Sequence, residues 1–101
     1  MNLRRCADIA ALEVNMWAVF VDVEIHDEAA GRELLDGQVV PMVKGSAGFV
    51  CGYWTDLPDS TGGSIAVFDS EEHARAAAPE AGAMGPVTIR TVRIGEVVAS
   101  A

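Results

Sequence analysis

Polar side chains that could carry out chemistry gather at the end of one predicted strand. Asp22, Glu24 and His26 occupy alternate positions in WAVFVDVEIH, so they project from one face at intervals of roughly 6.6 Å. A carboxylate beside an imidazole is a candidate acid–base pair or part of a metal site. A solvated strand end, with His26 capping the following helix, explains the same pattern and is favoured. No second ligand cluster completes a metal site, so we expect no bound metal.

Two adjacent aromatic residues, Tyr53 and Trp54, form the second candidate. Neighbouring positions of a strand point to opposite faces, so one of these side chains should face the helices and the other the opposite side of the sheet. On that opposite side of the sheet, an aromatic ring could stack on a planar substrate or anchor a homodimer interface. The interface is favoured because Trp and Tyr are enriched in interfaces. If the protein is an enzyme, the candidate catalytic residues are His26, Trp54 and Tyr53.

The remaining reactive residue types favour ordinary structural roles. His73 lies in the first turns of a predicted helix, where a solvated histidine is typical. Arg90 and Arg93 are expected to pair with the excess of acidic residues. No hydrolase nucleophile is indicated, because Gly-x-Ser-x-Gly surroundings are missing around Ser46, Ser64 and Ser70.

Length and charge restrict the classes of function. The 101 residues accommodate one domain, assigned to residues 16–98 between an extension (1–15, loosely attached or helical) and a short tail (99–101). Fifteen acidic against seven basic residues give a net charge of −8, which argues against binding to nucleic acid or to an anionic membrane. Cys6 and Cys51 form neither a disulfide framework nor a metal motif. We expect a cytoplasmic, soluble protein in which Cys51 is a buried thiol and Cys6 an exposed one.

The first half of the domain is predicted to form a strand, a helix and a second strand. Alternation in residues 17–25 predicts the strand. Its odd-numbered residues form one fully apolar face. The helix covers residues 27–44, and Pro41 should make it irregular after Gln38. The second strand spans residues 49–55.

The second half contains a hairpin, a helix and a final strand. The third strand spans residues 64–68 and pairs with the second across DLPDSTGG. Asp69 is the predicted cap of the second helix, with Glu72 at capping-box spacing. The linker PEAGAMGP leads to the last strand, where the apolar face changes sides near Arg90. Either a bulge or a strand end that packs on a second subunit explains that change.

The predicted element order, βαββαβ, is that of the ferredoxin-like fold. The chain resembles the dimeric α/β barrel superfamily, in particular its antibiotic-biosynthesis-monooxygenase-like branch. The resemblance lies in residues 16–23, in VVPMVKGSAGFVCGYW and in SIAVFDSEEHARAA. It implies an α+β fold: a four-stranded antiparallel sheet with two helices on one face, pairing into a dimeric α/β barrel.

The resemblance implies a homodimer that binds a small aromatic or apolar molecule. Its activity would be cofactor-independent oxygenation, as in a monooxygenase, or isomerisation; the alternative is a non-catalytic homodimeric binding or stress-related module. Haem degradation is not expected, because Phe68 stands where haem-degrading relatives have a tryptophan.

Overall fold

A computed structural model describes residues 15–100, which form one five-stranded antiparallel sheet with helices on one face. The strand order is β2-β3-β1-β5-β4, and this arrangement fits a ferredoxin-like α+β class. The strands are β1 (Trp17–Ile25), β2 (Phe49–Leu57), β3 (Thr61–Phe68), β4 (Gly82–Met84) and β5 (Val87–Glu96). The helices are α1 (Glu28–Leu34), a π-helical turn (Leu35–Val39), α2 (Val40–Lys44) and α3 (Glu71–Ala77).

Strand β1 is central and has the predicted bounds. It pairs antiparallel with β3 on one side and with β5 on the other, so Val19 lies opposite both Ala66 and Ile94. The alternation of WAVFVDVEI places its odd-numbered residues toward the helices. Its even-numbered residues lie on the opposite face of the sheet, called here the open face.

The prediction of four strands is wrong, because the linker PEAGAMGP contains a short fifth strand. In β4, Ala83 pairs with Thr88 and Met84 with Val87 at the edge of the sheet. Gly85, in the turn between β4 and β5, has a φ of 60°, a backbone angle that other residues rarely take, and this allows the tight reversal into β5. The order of elements therefore differs from a four-stranded βαββαβ unit.

The strands of the β2–β3 hairpin are longer than predicted, and the turn between them is shorter. The strands continue to Leu57 and start again at Thr61, so only three residues form the turn. Asp59 and Ser60 have positive φ angles of 63° and 58°, and the Thr61 hydroxyl donates to the Pro58 carbonyl at 2.7 Å.

A bulge at Arg90 explains the change of apolar face in β5. Asp22 pairs with Thr91 and Val23 with Ile89, which leaves Arg90 as the extra residue. Both halves of β5 pair with β1 of the same chain. Of the two predicted explanations for the change of face, the bulge is confirmed.

The first helix is distorted one turn earlier than predicted and continues past Pro41. The Val40 N–H donates to the Leu35 carbonyl, the five-residue spacing of a π turn. Pro41 has no amide hydrogen, but it lies in the first turn of α2, where none is needed. Asp27, not His26, caps α1: its carboxylate accepts from the Ala30 N–H at 3.0 Å.

The second helix is capped by Ser70 and not by Asp69. The Ser70 hydroxyl oxygen accepts from the His73 N–H at 3.1 Å. The Asp69 carboxylate instead lies 2.6 Å from His73 Nδ1. This pair packs against Gly48, whose φ of 78° and close neighbours require the absence of a side chain.

The packed core on the helix side lies at one end of the sheet. Val19, Ala66, Phe68 and Ala74 are buried together, and Phe49 packs edge-on against Phe68 with ring centroids 6.0 Å apart.

A second buried cluster contains Met16, Ala18 and Val67, with Cys51 half-buried beside it. Cys51 is disulfide-bonded, so the prediction of a buried thiol is wrong. The predictions for Cys6 and for residues 1–14 of the extension lie outside the described residues. Within residues 15–100, no helix is both long and apolar enough to cross a membrane.

Candidate ligand-binding site

A cavity of about 560 Å³ lies between the helix side of the sheet and the segment formed by α1, the π-helical turn and α2. We call that helical segment the roof and the sheet the floor. Most of the lining is apolar, including Val21, Val23 and Ile89 from the floor and Leu34, Leu35 and Val39 from the roof. These six residues include five that are only half-buried, although their positions are those of a hydrophobic core.

The roof contacts the sheet near both ends and leaves the middle open. At one end Gly31 approaches closely: a Cβ there would lie 3.5 Å from Ile25 Cγ2. At the other end Val43 packs on the buried core cluster. Between them the floor carries the small residue Ser64, beside which the volume is unfilled.

Trp54 forms part of the cavity wall. Its indole lies over Gly52, where a Cβ would come within 3.1 Å of Trp54 Cη2. Tyr53 has its side chain on the open face and is 51% exposed. The prediction that these two aromatic side chains occupy opposite faces is confirmed.

Four charged side chains belong to the lining: Glu28, Arg32, Asp36 and Asp56. All four are exposed, so they belong to the mouth of the cavity. Arg32 Nε donates to Asp36 Oδ2 at 3.2 Å. Glu28 and Asp56 form no ion pair with any residue of the described part of the chain.

Sequence reasoning missed both of those acidic residues. Asp56 has the same strand parity as Trp54, and Glu28 precedes Arg32 by one helical turn. The spacing of Glu28 and Arg32 was available as a signal from the predicted helix. Asp56 was assigned to the loop after the predicted second strand, so its shared face with Trp54 emerges only from the structure, in which β2 continues to Leu57.

The predicted acid–base cluster lies on the open face, away from the cavity. His26 Nε2 is 2.8 Å from Thr88 Oγ1, and His26 Nδ1 is 3.9 Å from Glu24 Oε1. Asp22 accepts a hydrogen bond of 2.7 Å from the Thr91 hydroxyl. The structure therefore places His26 and Trp54 on different faces of the sheet.

The open face also carries exposed apolar side chains. Phe20 is 41% exposed and Leu57 is 44% exposed, in addition to Tyr53. Phe20, Tyr53, Asp22 and Arg93 line a shallow depression on this face.

Among residues 15–100, no three histidine, cysteine, aspartate or glutamate side chains lie where they could hold a metal ion. No polar or charged residue in the same part of the chain is fully buried. The described cavity thus offers an apolar surface with charges at its mouth.

Comparison with known proteins gave no match to a family model, a curated protein or a solved structure.

Proposed function

We propose that this protein binds a small apolar or aromatic molecule in the cavity between its sheet and its first helical segment, and that it does so as a homodimer. The observation that carries the proposal is the apolar cavity of about 560 Å³. Its volume falls in the range of small-molecule sites, which are mostly apolar with a few polar groups.

A ligand in this cavity would complete a core that the chain leaves unfilled. Val21, Leu34 and Leu35 are only half-buried around the cavity. Removing apolar surface from water contributes roughly 25 cal/mol per Å². The Trp54 indole adds a flat surface on which an aromatic ring can stack.

Binding is favoured over catalysis by the position of the titratable groups. Cofactor-independent oxygenation or isomerisation needs an acid or base within hydrogen-bond reach of the bound substrate. His26, the candidate for that role, lies on the open face, whereas the charged residues that line the cavity are exposed at its mouth. The non-catalytic binding module, the alternative in the sequence analysis, therefore has the better support.

The open face supports the homodimer. Phe20, Tyr53 and Leu57 expose large apolar surfaces there, and such surfaces mark interaction sites when they are contiguous. Arg93 and Asp22 lie on the same patch. A two-fold interface brings a patch against its own copy, so a patch with charges of both signs can form complementary pairs across it.

Isothermal titration calorimetry with 2-naphthalenemethanol, a neutral aromatic probe, tests the proposal. Ser64→Leu adds bulk to the floor of the cavity and should abolish binding. Ala83→Leu adds bulk to exposed β4, outside the lining, and should leave the affinity unchanged. Failure of the unmodified protein to bind, or equal binding by the Ser64→Leu variant, would contradict the proposal.

A further inference from the structure

The geometry points to a ligand class: the cavity selects an aromatic molecule that carries a cationic group, and it disfavours the corresponding anion. This inference rests on the proposed function and concerns the same cavity. It is carried by two observations together, an indole in the cavity wall and unpaired carboxylates at the mouth.

The charges around the mouth do not balance. Three carboxylates and one guanidinium belong to the lining, and Arg32 is paired with Asp36 at 3.2 Å. Glu28 and Asp56 remain without an ionic partner among the described residues. The mouth therefore presents a net negative field to an entering molecule.

The arrangement lets a ligand keep its charge in water while its ring enters the cavity. Glu28 and Asp56 are exposed, so an ammonium group beside them retains much of its hydration. Burying a charge among Val21, Val23 and Leu35 would be costly in comparison. An amphipathic ligand with one apolar end and one charged end fits both regions.

Trp54 strengthens the same preference. The indole face attracts cations within about 6 Å of the ring centroid, and tryptophan is the most effective of the aromatic side chains in this respect. Asp56 lies two residues further along β2 and on the same face as Trp54. A carboxylate bound near these groups would instead meet like charge.

Three probes that share one ring system test the selectivity: 2-naphthalenemethanol, 2-naphthylmethylamine and 2-naphthoate. Titration calorimetry at low ionic strength should show the amine binding about three- to tenfold more tightly than the alcohol. The carboxylate should bind at least about threefold more weakly than the alcohol. Sodium chloride at about 0.5 M should reduce both differences, because it screens exposed charges.

A pair of double variants separates the mouth from the charge of the whole protein. Glu28→Gln with Asp56→Asn should bring the affinities for amine and alcohol within about twofold. Glu33→Gln with Asp59→Asn makes the same charge change at exposed positions outside the lining. This control should retain the preference for the amine.

The outcomes distinguish this inference from the proposed function. If none of the three probes binds, the proposed function fails. If the alcohol binds and the amine binds no more tightly, the cavity stands as a binding site and the charge selectivity is overturned. Equal loss of the preference in both double variants would also overturn it, because the net charge of −8 would then explain the result.

Discussion

The Trp54 indole lies directly over Gly52, so that a Cβ added to Gly52 would lie 3.1 Å from Trp54 Cη2 and 3.2 Å from Cζ3. Gly52→Ala should therefore push the indole by a few tenths of an ångström. We expect the dissociation constant of the naphthalene alcohol to rise about three- to tenfold, together with a change in tryptophan emission. Gly95→Ala, in β5 with no neighbour within 4 Å, is the control and should bind normally.

Phe68 is the best buried large side chain of the described core, with 1% exposure. Phe68→Ala should lower the free energy of unfolding by about 3–5 kcal/mol, because it leaves a cavity beside Val19 and Ala74. Met42→Ala, at a position that is 66% exposed, should cost less than about 1 kcal/mol. Urea denaturation at one protein concentration measures both. Similar losses in the two variants would show that the core does not lie where the structure places it.

Gly48 combines a positive φ with close contact to Asp69 and His73. Gly85 has a positive φ of 60° but nothing within 4 Å. Gly85→Ala should cost about 1–2 kcal/mol for the backbone alone. Gly48→Ala should cost about 3 kcal/mol or more, since the aspartate–histidine pair must also move. Equal costs in thermal or urea unfolding would mean that this pair does not pack on Gly48.

The open face supplies a test of the homodimer. Phe20→Glu replaces an aromatic ring of the exposed apolar patch by a charged side chain opposite Arg93. It should convert a dimer into monomers of 10.6 kDa, because the interface loses an aromatic contact and has to bury charged groups. Val98→Glu, at a position that is 88% exposed, should leave the dimer intact. Light scattering coupled to size exclusion distinguishes the two. A monomeric unmodified protein at micromolar concentration would remove the homodimer from the account.

Local patterns predicted those parts of the fold that depend on local chemistry. The alternation of β1 predicted its bounds and the residues that share a face. The change of parity in β5 indicated either a bulge or a strand end on a second subunit, and the structure shows a bulge at Arg90. Adjacent positions in one strand sufficed to place Tyr53 and Trp54 on opposite faces.

Other features depend on how the elements meet in space. The strand β4 has only three residues, so it has no periodic signal. Asp69 and Ser70 are both good helix caps, and the contact of Asp69 with His73 at the Gly48 turn leaves Ser70 as the cap.

The cavity could not be predicted from single residues. The helix stripe containing Leu34, Leu35 and Val39 is typical of core packing. Whether that stripe contacts the sheet depends on the distance between the roof and the floor. The contacts of Gly31 and Val43 determine this distance. The position of His26 shows the same limit, because its strand parity does not say which face the helices cover.

A methyl-group NMR titration tests the central claim, binding in the sheet–helix cavity, most directly. On addition of 2-naphthalenemethanol, the account predicts that the methyl signals of Val21 and Val23 in the floor and the indole N–H of Trp54 shift together with one dissociation constant. Ile65 has the opposite strand parity and lies on the open face, so its signal should move little. Shifts confined to Ile65 and the other open-face residues, or no shifts at all, would contradict the account.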